Sequence, residues 1–210
     1  HIQLTSSDPN FNAPDVGIIN LDDDVSFEPT VVFSDSFESG QWNGLWVEDS
    51  QNDWFTSTQR ETDGNYSAEV DGRATNATLT VANPIDMSVY GSAELTFDWY
   101  IESGLDSGEY VKLDFWNGST WIEILSLDGN QDPENTWHNE LVHLDPQYLN
   151  DDFQFRFRAN MSRSNEDANV DNVQLLATSL ATPPNEAPVS LGDGIYNVDE
   201  DNGLIVNAAN

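Results

Sequence analysis

Phe33-Ser-Asp-Ser-Phe-Glu-Ser-Gly-Gln-Trp42 opens the only long run of regular hydrophobic alternation in this chain, and Ala168-Asn-Val-Asp-Asn-Val-Gln-Leu-Leu176 closes it. Between them apolar residues recur at every second position. Leu95, Phe97, Trp99 and Ile101 alternate with Glu94, Thr96, Asp98, Tyr100 and Glu102. Val111, Leu113 and Phe115 follow the same rule, as do Phe153, Phe155 and Phe157, which leave Arg156 and Arg158 outward. A period of two with one wet face is the pattern of antiparallel strands. Asp63-Gly64, Asp71-Gly72, Asn117-Gly118 and Asp128-Gly129 punctuate the run as turns. Strands at this spacing predict a sandwich rather than βαβ units. The fold class expected is all-β: an antiparallel jelly-roll β-sandwich over residues 31–177, with the opening and closing strands side by side. Helix signals are poor, and Pro146-Gln-Tyr-Leu149 makes one short turn at most.

Composition bounds the function. Six Lys and Arg against 38 Asp and Glu give a formal net charge of −32 in 210 residues. Such a surface repels phosphate backbones and anionic lipid, so no nucleic-acid partner is expected. No apolar run is long enough for membrane insertion. An aromatic content of 11% argues for a packed core rather than disorder. Without cysteine, a secreted β-domain needs a large core or bound ions to hold it.

The flanks change character. Asp15-Val-Gly-Ile-Ile-Asn-Leu-Asp-Asp-Asp24 alternates and ends in three acids. It resembles the terminal strand of Calx-β repeats, which makes 1–30 the end of a preceding β-repeat; a linker strand with a charged turn is the other reading. Residues 178–188 are a Pro-rich linker. Ala187-Pro-Val, Tyr196-Asn-Val, Glu200-Asp and Leu204-Ile-Val then resemble, in that order, the opening strands of bacterial cadherin-like repeats, so 189–210 is expected to begin such a repeat. Both flanks are therefore expected to be partial immunoglobulin-like strands, and the chain a window from a longer array.

The carboxylates gather on the two end strands. Asp35 and Glu38 lie on the opening one. On the closing one Val170 has one phase and Val173 and Leu175 the other, so a bulge is expected at Asp171-Asn172, re-aiming Asp171 toward Glu38. Neighbouring carboxylates repel unless a cation lies between them, and oxygen ligands suit Ca²⁺. Asp63 and Asp71, flanking Tyr66-Ser-Ala-Glu-Val70, are the expected further ligands. The alternative is that these acids cap turns and face water. In Asp128-Gly-Asn-Gln-Asp132, Pro133 stands where a calcium loop has glycine, so a turn is expected there.

Phe33–Gly40, Gly64–Asp71, Leu95–Tyr100 and Val170–Leu175 together resemble the MAM-type jelly roll, and equally the jelly-roll carbohydrate-binding modules. The resemblance implies a structural calcium held at Glu38 and Asp171. MAM domains of vertebrates carry disulfides and this chain has no cysteine, which departs from an adhesive MAM role.

Among seven tryptophans, Trp99 has the inward phase, and Trp121 and Trp137 begin strands as packing residues. Trp116 is outward, and Trp46 and Trp54 flank an acidic loop; exposed rings beside Asp, Asn and Gln suit sugars. These three are the candidate ligand-binding residues. Arg156 and Arg158 are expected to form internal salt bridges.

Catalysis finds little support. His138 and His143 fall on opposite faces of a strand, and there is no cysteine nucleophile, no Gly-x-Ser-x-Gly and no phosphate loop. The expected function is a non-catalytic, calcium-binding module of a large secreted or cell-surface bacterial protein, in adhesion or spacing, with neighbouring domains of its own chain as partners. The alternative is a carbohydrate-binding module that targets an enzyme to polysaccharide or a cell-surface glycan; an accessory domain of a secreted protease is a third reading.

Overall fold

A computed structural model of the chain describes residues 28–180 in full, together with the backbone of two short outlying strands. Its strands are β1 (Gly17–Asn20), β2 (Thr30–Asp35), β3 (Trp46–Glu48), β4 (Trp54–Ser57), β5 (Ser67–Asp71), β6 (Thr75–Val81) and β7 (Tyr90–Ile101), followed by β8 (Tyr110–Trp116), β9 (Trp121–Asp128), β10 (Trp137–His143), β11 (Gln154–Asn160), β12 (Asp167–Ser179) and β13 (Ile195–Val198). One turn of 3₁₀ helix spans Pro146–Tyr148, where the proline predicted it. No helix among the described residues is long and apolar enough to cross a membrane.

The chain divides into two compact units, residues 1–26 with 182–210, and residues 27–181. In the first, β1 and β13 pair in parallel, Gly17 opposite Ile195 and Asn20 opposite Val198. Segments that read as pieces of two different repeats thus pair with each other. The rest of the Calx-β-like, proline-rich and cadherin-like stretches (1–16, 21–27, 181–194 and 199–210) lies outside the described residues.

The second unit is an antiparallel sandwich. One sheet has the order β10-β7-β12-β5-β4, with β2 also on β12, and the other β3-β6-β11-β8-β9. The opening and closing strands are neighbours, Val173 opposite Asp35 and Leu175 opposite Phe33. Alternation sets the interior as expected: Leu95, Phe97, Trp99 and Ile101 are buried against Val111, Leu113, Phe115 and Phe153, Phe155, Phe157. Their rings meet mostly edge to face, Phe97 with Phe157 at 5.2 Å and Phe33 with Phe155 at 5.4 Å between centroids. Each fully buried side chain of this size contributes about 1.5–3 kcal/mol.

The bulge falls where the change of phase put it. Pairing of β12 with β7 shifts between Asp171 and Gln174, and Asn172 adopts a φ of +51°. The extra residue lets Val170, Val173 and Leu175 all face inward. At Asp128-Gly129 the turn differs from expectation. Asn130 rather than Gly129 takes positive φ, and Gly129 is needed because a Cβ there would strike the backbone of Leu105.

Candidate functional site

The segment between β4 and β5 folds over the outer face of the six-stranded sheet, and this places the carboxylates. Asp171 is fully buried. Its Oδ2 accepts the backbone N–H of Thr62 (2.8 Å) and Asp63 (3.2 Å), and Oδ1 that of Asn172 (2.7 Å). Burial pushes its pKa up, and those donors hold it back. Asp98 stands opposite Asp171 in the ladder, and the Thr62 hydroxyl lies 2.7 Å from Asp98 and 3.1 Å from Asp171. Asn139 Nδ2 (2.8 Å) and Asn172 Nδ2 (3.1 Å) also donate to Asp98.

Glu38 reaches the same segment from the opening strand. It accepts Asn65 N–H (2.9 Å) and Tyr66 N–H (2.8 Å), which hold its carboxyl below the usual range. Gly64, at φ +68°, lies so close that a Cβ would fall on the Glu38 carboxylate. Asp35 accepts Phe37 N–H (2.9 Å) and Trp46 Nε1–H (2.8 Å).

A cleft of about 600 Å³ opens here, its acids being Asp35, Glu38, Asp63 and Asp98. Four of the five expected metal residues therefore lie in or directly beneath one place. Asp71 does not: register sets it opposite Asp167 at the far end of the β5–β12 ladder, in a group with Glu69 and Asp167. Burial and the Asp167 charge raise its pKa. Asp171, moreover, turns toward Thr62 and Asp63 rather than toward the opening strand. Apart from Val173 the lining is carboxylate, hydroxyl and amide, which suits a hard cation in kind. In place, the Asp35, Glu38 and Asp171 carboxylates are all engaged by N–H donors. Among the described residues, three carboxylates converge within 4.8 Å only at Glu69/Asp71/Asp167 and Asp106/Glu109/Glu166. Asp98, read from sequence only as outward, joined the cleft through the register with Asp171.

The other sheet offers a different surface. Gln154, Trp116 and Trp121 are cross-strand neighbours in one row on its outer face. The two indoles are 5.5 Å apart and tilted by 55°. Trp116 Nε1 donates to Asp152 (3.1 Å), and the Arg156 guanidinium lies 4.3 Å over the Trp121 ring. The next row runs Thr80, Arg156, Asp114 and Glu123. Asp114 is buried beneath Arg156 (2.9 Å) and Arg158 (2.8 Å). Burial works to raise its pKa, and the two arginines overcome this and hold it low. Arg158 also bonds the Tyr110 hydroxyl (2.9 Å), and Lys112 lies 4.2 Å over the Tyr110 ring. Three of the six basic residues of a strongly acidic chain thus share this face. Gln154 continues the aromatic row into a groove of about 330 Å³ lined also by Val47, Glu48, Thr78 and Thr80.

Of the aromatic candidates, only Trp116 lies on an outer face. Trp46 and Trp54 are 3% and 2% exposed, so neither can stack on a ligand. Trp46 packs on Phe33, Phe37 and Phe155, and Trp54 donates from Nε1 to the Ala77 carbonyl (3.2 Å).

The fold has known counterparts. It is similar to the CBM22-1 xylan-binding domain of Paenibacillus barcinonensis Xyn10C (TM-score 0.52, 13% identity, 75% of this chain and 100% of that one). It is also similar to a family 16 carbohydrate-binding module (0.52, 16%, 70% and 99%). A third similar structure is the K1 cleaved adhesin domain of Lys-gingipain from Porphyromonas gingivalis W83 (0.52, 18%, 70% and 97%). No protein-family profile matches the chain. No curated protein matches it either. At these identities the likeness establishes the fold, an antiparallel jelly-roll β-sandwich of the kind found in carbohydrate-binding modules.

Proposed function

We propose that this chain is a non-catalytic carbohydrate-binding module of a secreted or cell-surface protein. The observation that carries the reading is the row Trp121–Trp116–Gln154 running into the groove on the outer face of the five-stranded sheet. Sugar rings offer an apolar face and a rim of hydroxyls; an indole beside amide, hydroxyl and guanidinium groups complements both. Two of the similar folds are carbohydrate-binding modules, one named as xylan-binding, which supports a polysaccharide ligand. A glycan array covering plant, algal and bacterial polysaccharides tests this directly. Retention of at least one polysaccharide is expected, and a blank array excludes the reading.

The acidic cleft on the opposite sheet favours a second reading, a calcium-stabilised spacer or adhesive module. Its oxygen-rich, acidic lining supports a divalent cation near Glu38 and Asp171. Thermal melts with and without EDTA, on the parent and on Glu38→Gln, test it: a calcium-dependent midpoint whose calcium gain Glu38→Gln reduces is expected, and an unchanged parent midpoint, or an equal gain in Glu38→Gln, rules it out.

A further inference from the structure

Both loops that cross between the sheets at one end of the sandwich carry buried acids. Residues 102–109 lead from β7 to β8, and residues 161–166 from β11 to β12. Glu109 is 5% exposed and Glu166 0%. The single N–H of Ser162 serves both, at 3.0 Å from Glu109 Oε1 and 2.9 Å from Glu166 Oε2. Asp106 completes the group, the three carboxylates each placing an oxygen within 4.8 Å of the others.

One atom there is unaccounted for. Glu166 Oε2 accepts Ser162 N–H and Arg163 N–H (2.8 Å), whereas Glu166 Oε1 is buried with no hydrogen-bond donor. The nearest cation is the Arg163 guanidinium, 3.6 Å from that oxygen and closer, at 2.9 Å, to Asp106. Arg163 is more than half exposed, and its one charge faces three. A buried carboxylate oxygen without a hydrogen-bond donor is costly, and such oxygens are normally met by a proton, a water or an ion. The Glu69/Asp71/Asp167 group differs, because Asn169 donates to Glu69 (3.3 Å) and Arg60 pairs with Asp167 (3.5 Å).

We infer that Asp106, Glu109 and Glu166 form a divalent-cation site, suited to Ca²⁺, that staples the two crossover loops. Three carboxylates less one arginine leave two negative charges, matching the ion. They provide up to six oxygens, and water can enter on the exposed Asp106 side. The site is separate from the acidic cleft and from the aromatic face.

The test uses the whole chain, stripped with EDTA and titrated with CaCl₂ by calorimetry, with hydrogen exchange followed across 102–109 and 161–166. Calcium is expected to slow exchange in both loops of the parent and of Glu38→Gln. Glu166→Gln should weaken this binding by at least about tenfold. Asp106→Asn, on the exposed rim and so harmless to folding, should weaken it too and keeps the test open if Glu166→Gln does not fold. Exchange in these loops indifferent to calcium in the parent, or full binding retained by Asp106→Asn and Glu166→Gln, overturns the assignment.

Discussion

Glu38 and Asp171 hold the same short segment of chain. Asp171 takes the N–H groups of Thr62 and Asp63, and Glu38 takes those of Asn65 and Tyr66, with Gly64 between them. The opening and closing strands are thus tied together through the backbone of a loop. Asp171→Ala removes the buried acceptor of three backbone N–H groups, and the expected loss is roughly 1–3 kcal/mol, measurable by urea denaturation. Glu38→Ala costs less, because its surroundings are open to water. A loss at Asp171 no larger than at Glu38 contradicts this assignment.

Gly64→Ala probes the same contact from the other side. A left-handed φ and a Cβ placed on the Glu38 carboxylate both oppose it. The backbone part alone is expected to cost about 1 kcal/mol, lowering the melting temperature by roughly 2–4 °C. Combining it with Glu38→Ala should cost less than the two single losses added together.

Asp114 is expected to govern acid stability. Removing it leaves Arg156 without its acidic partner and Arg158 with only the longer contact to Glu123 (3.4 Å), and Asp114→Ala should cost about 3 kcal/mol at neutral pH. Its folded pKa is depressed, so its contribution is present above the ordinary carboxyl value and lost as pH falls through the lowered one. The gap between parent and Asp114→Asn should therefore close in strong acid. A gap that does not vary with pH counts against the pairing.

Asp71 has the opposite sign. Its folded pKa is raised, so stability is fully present below the unfolded value and falls as pH rises through the folded one. Asp71→Asn is expected to stabilise by a few tenths of a kcal/mol at neutral pH and to be neutral in acid. Denaturation midpoints at the two pH values decide it.

How much of this could be read in the letters varies with length of element. The interior of β7, β8 and β11 was legible because seven or more residues alternate without interruption, and the bulge because Val170 and Val173 could not share a phase otherwise. Trp46 and Trp54 begin strands of three and four residues, too short to show a phase, and their acidic neighbours suggested the wrong face. The pairing of β2 with β12 was legible, but the partners of its carboxylates were not. Those partners are backbone N–H groups of residues 62–66, which every residue type but proline offers and no side-chain pattern reveals. Asp71 was misplaced for a related reason: sequence gives its face but not its register, and register puts it opposite Asp167.

The most direct test of the account is titration of a polysaccharide retained on the array against three proteins: parent, Trp116→Ala and Glu38→Gln. Trp116→Ala is expected to lose at least about tenfold in affinity while keeping the parent's fold, and Glu38→Gln, on the opposite sheet, to bind like the parent. Undiminished binding by Trp116→Ala, or loss confined to Glu38→Gln, would place the ligand elsewhere and contradict the proposed face.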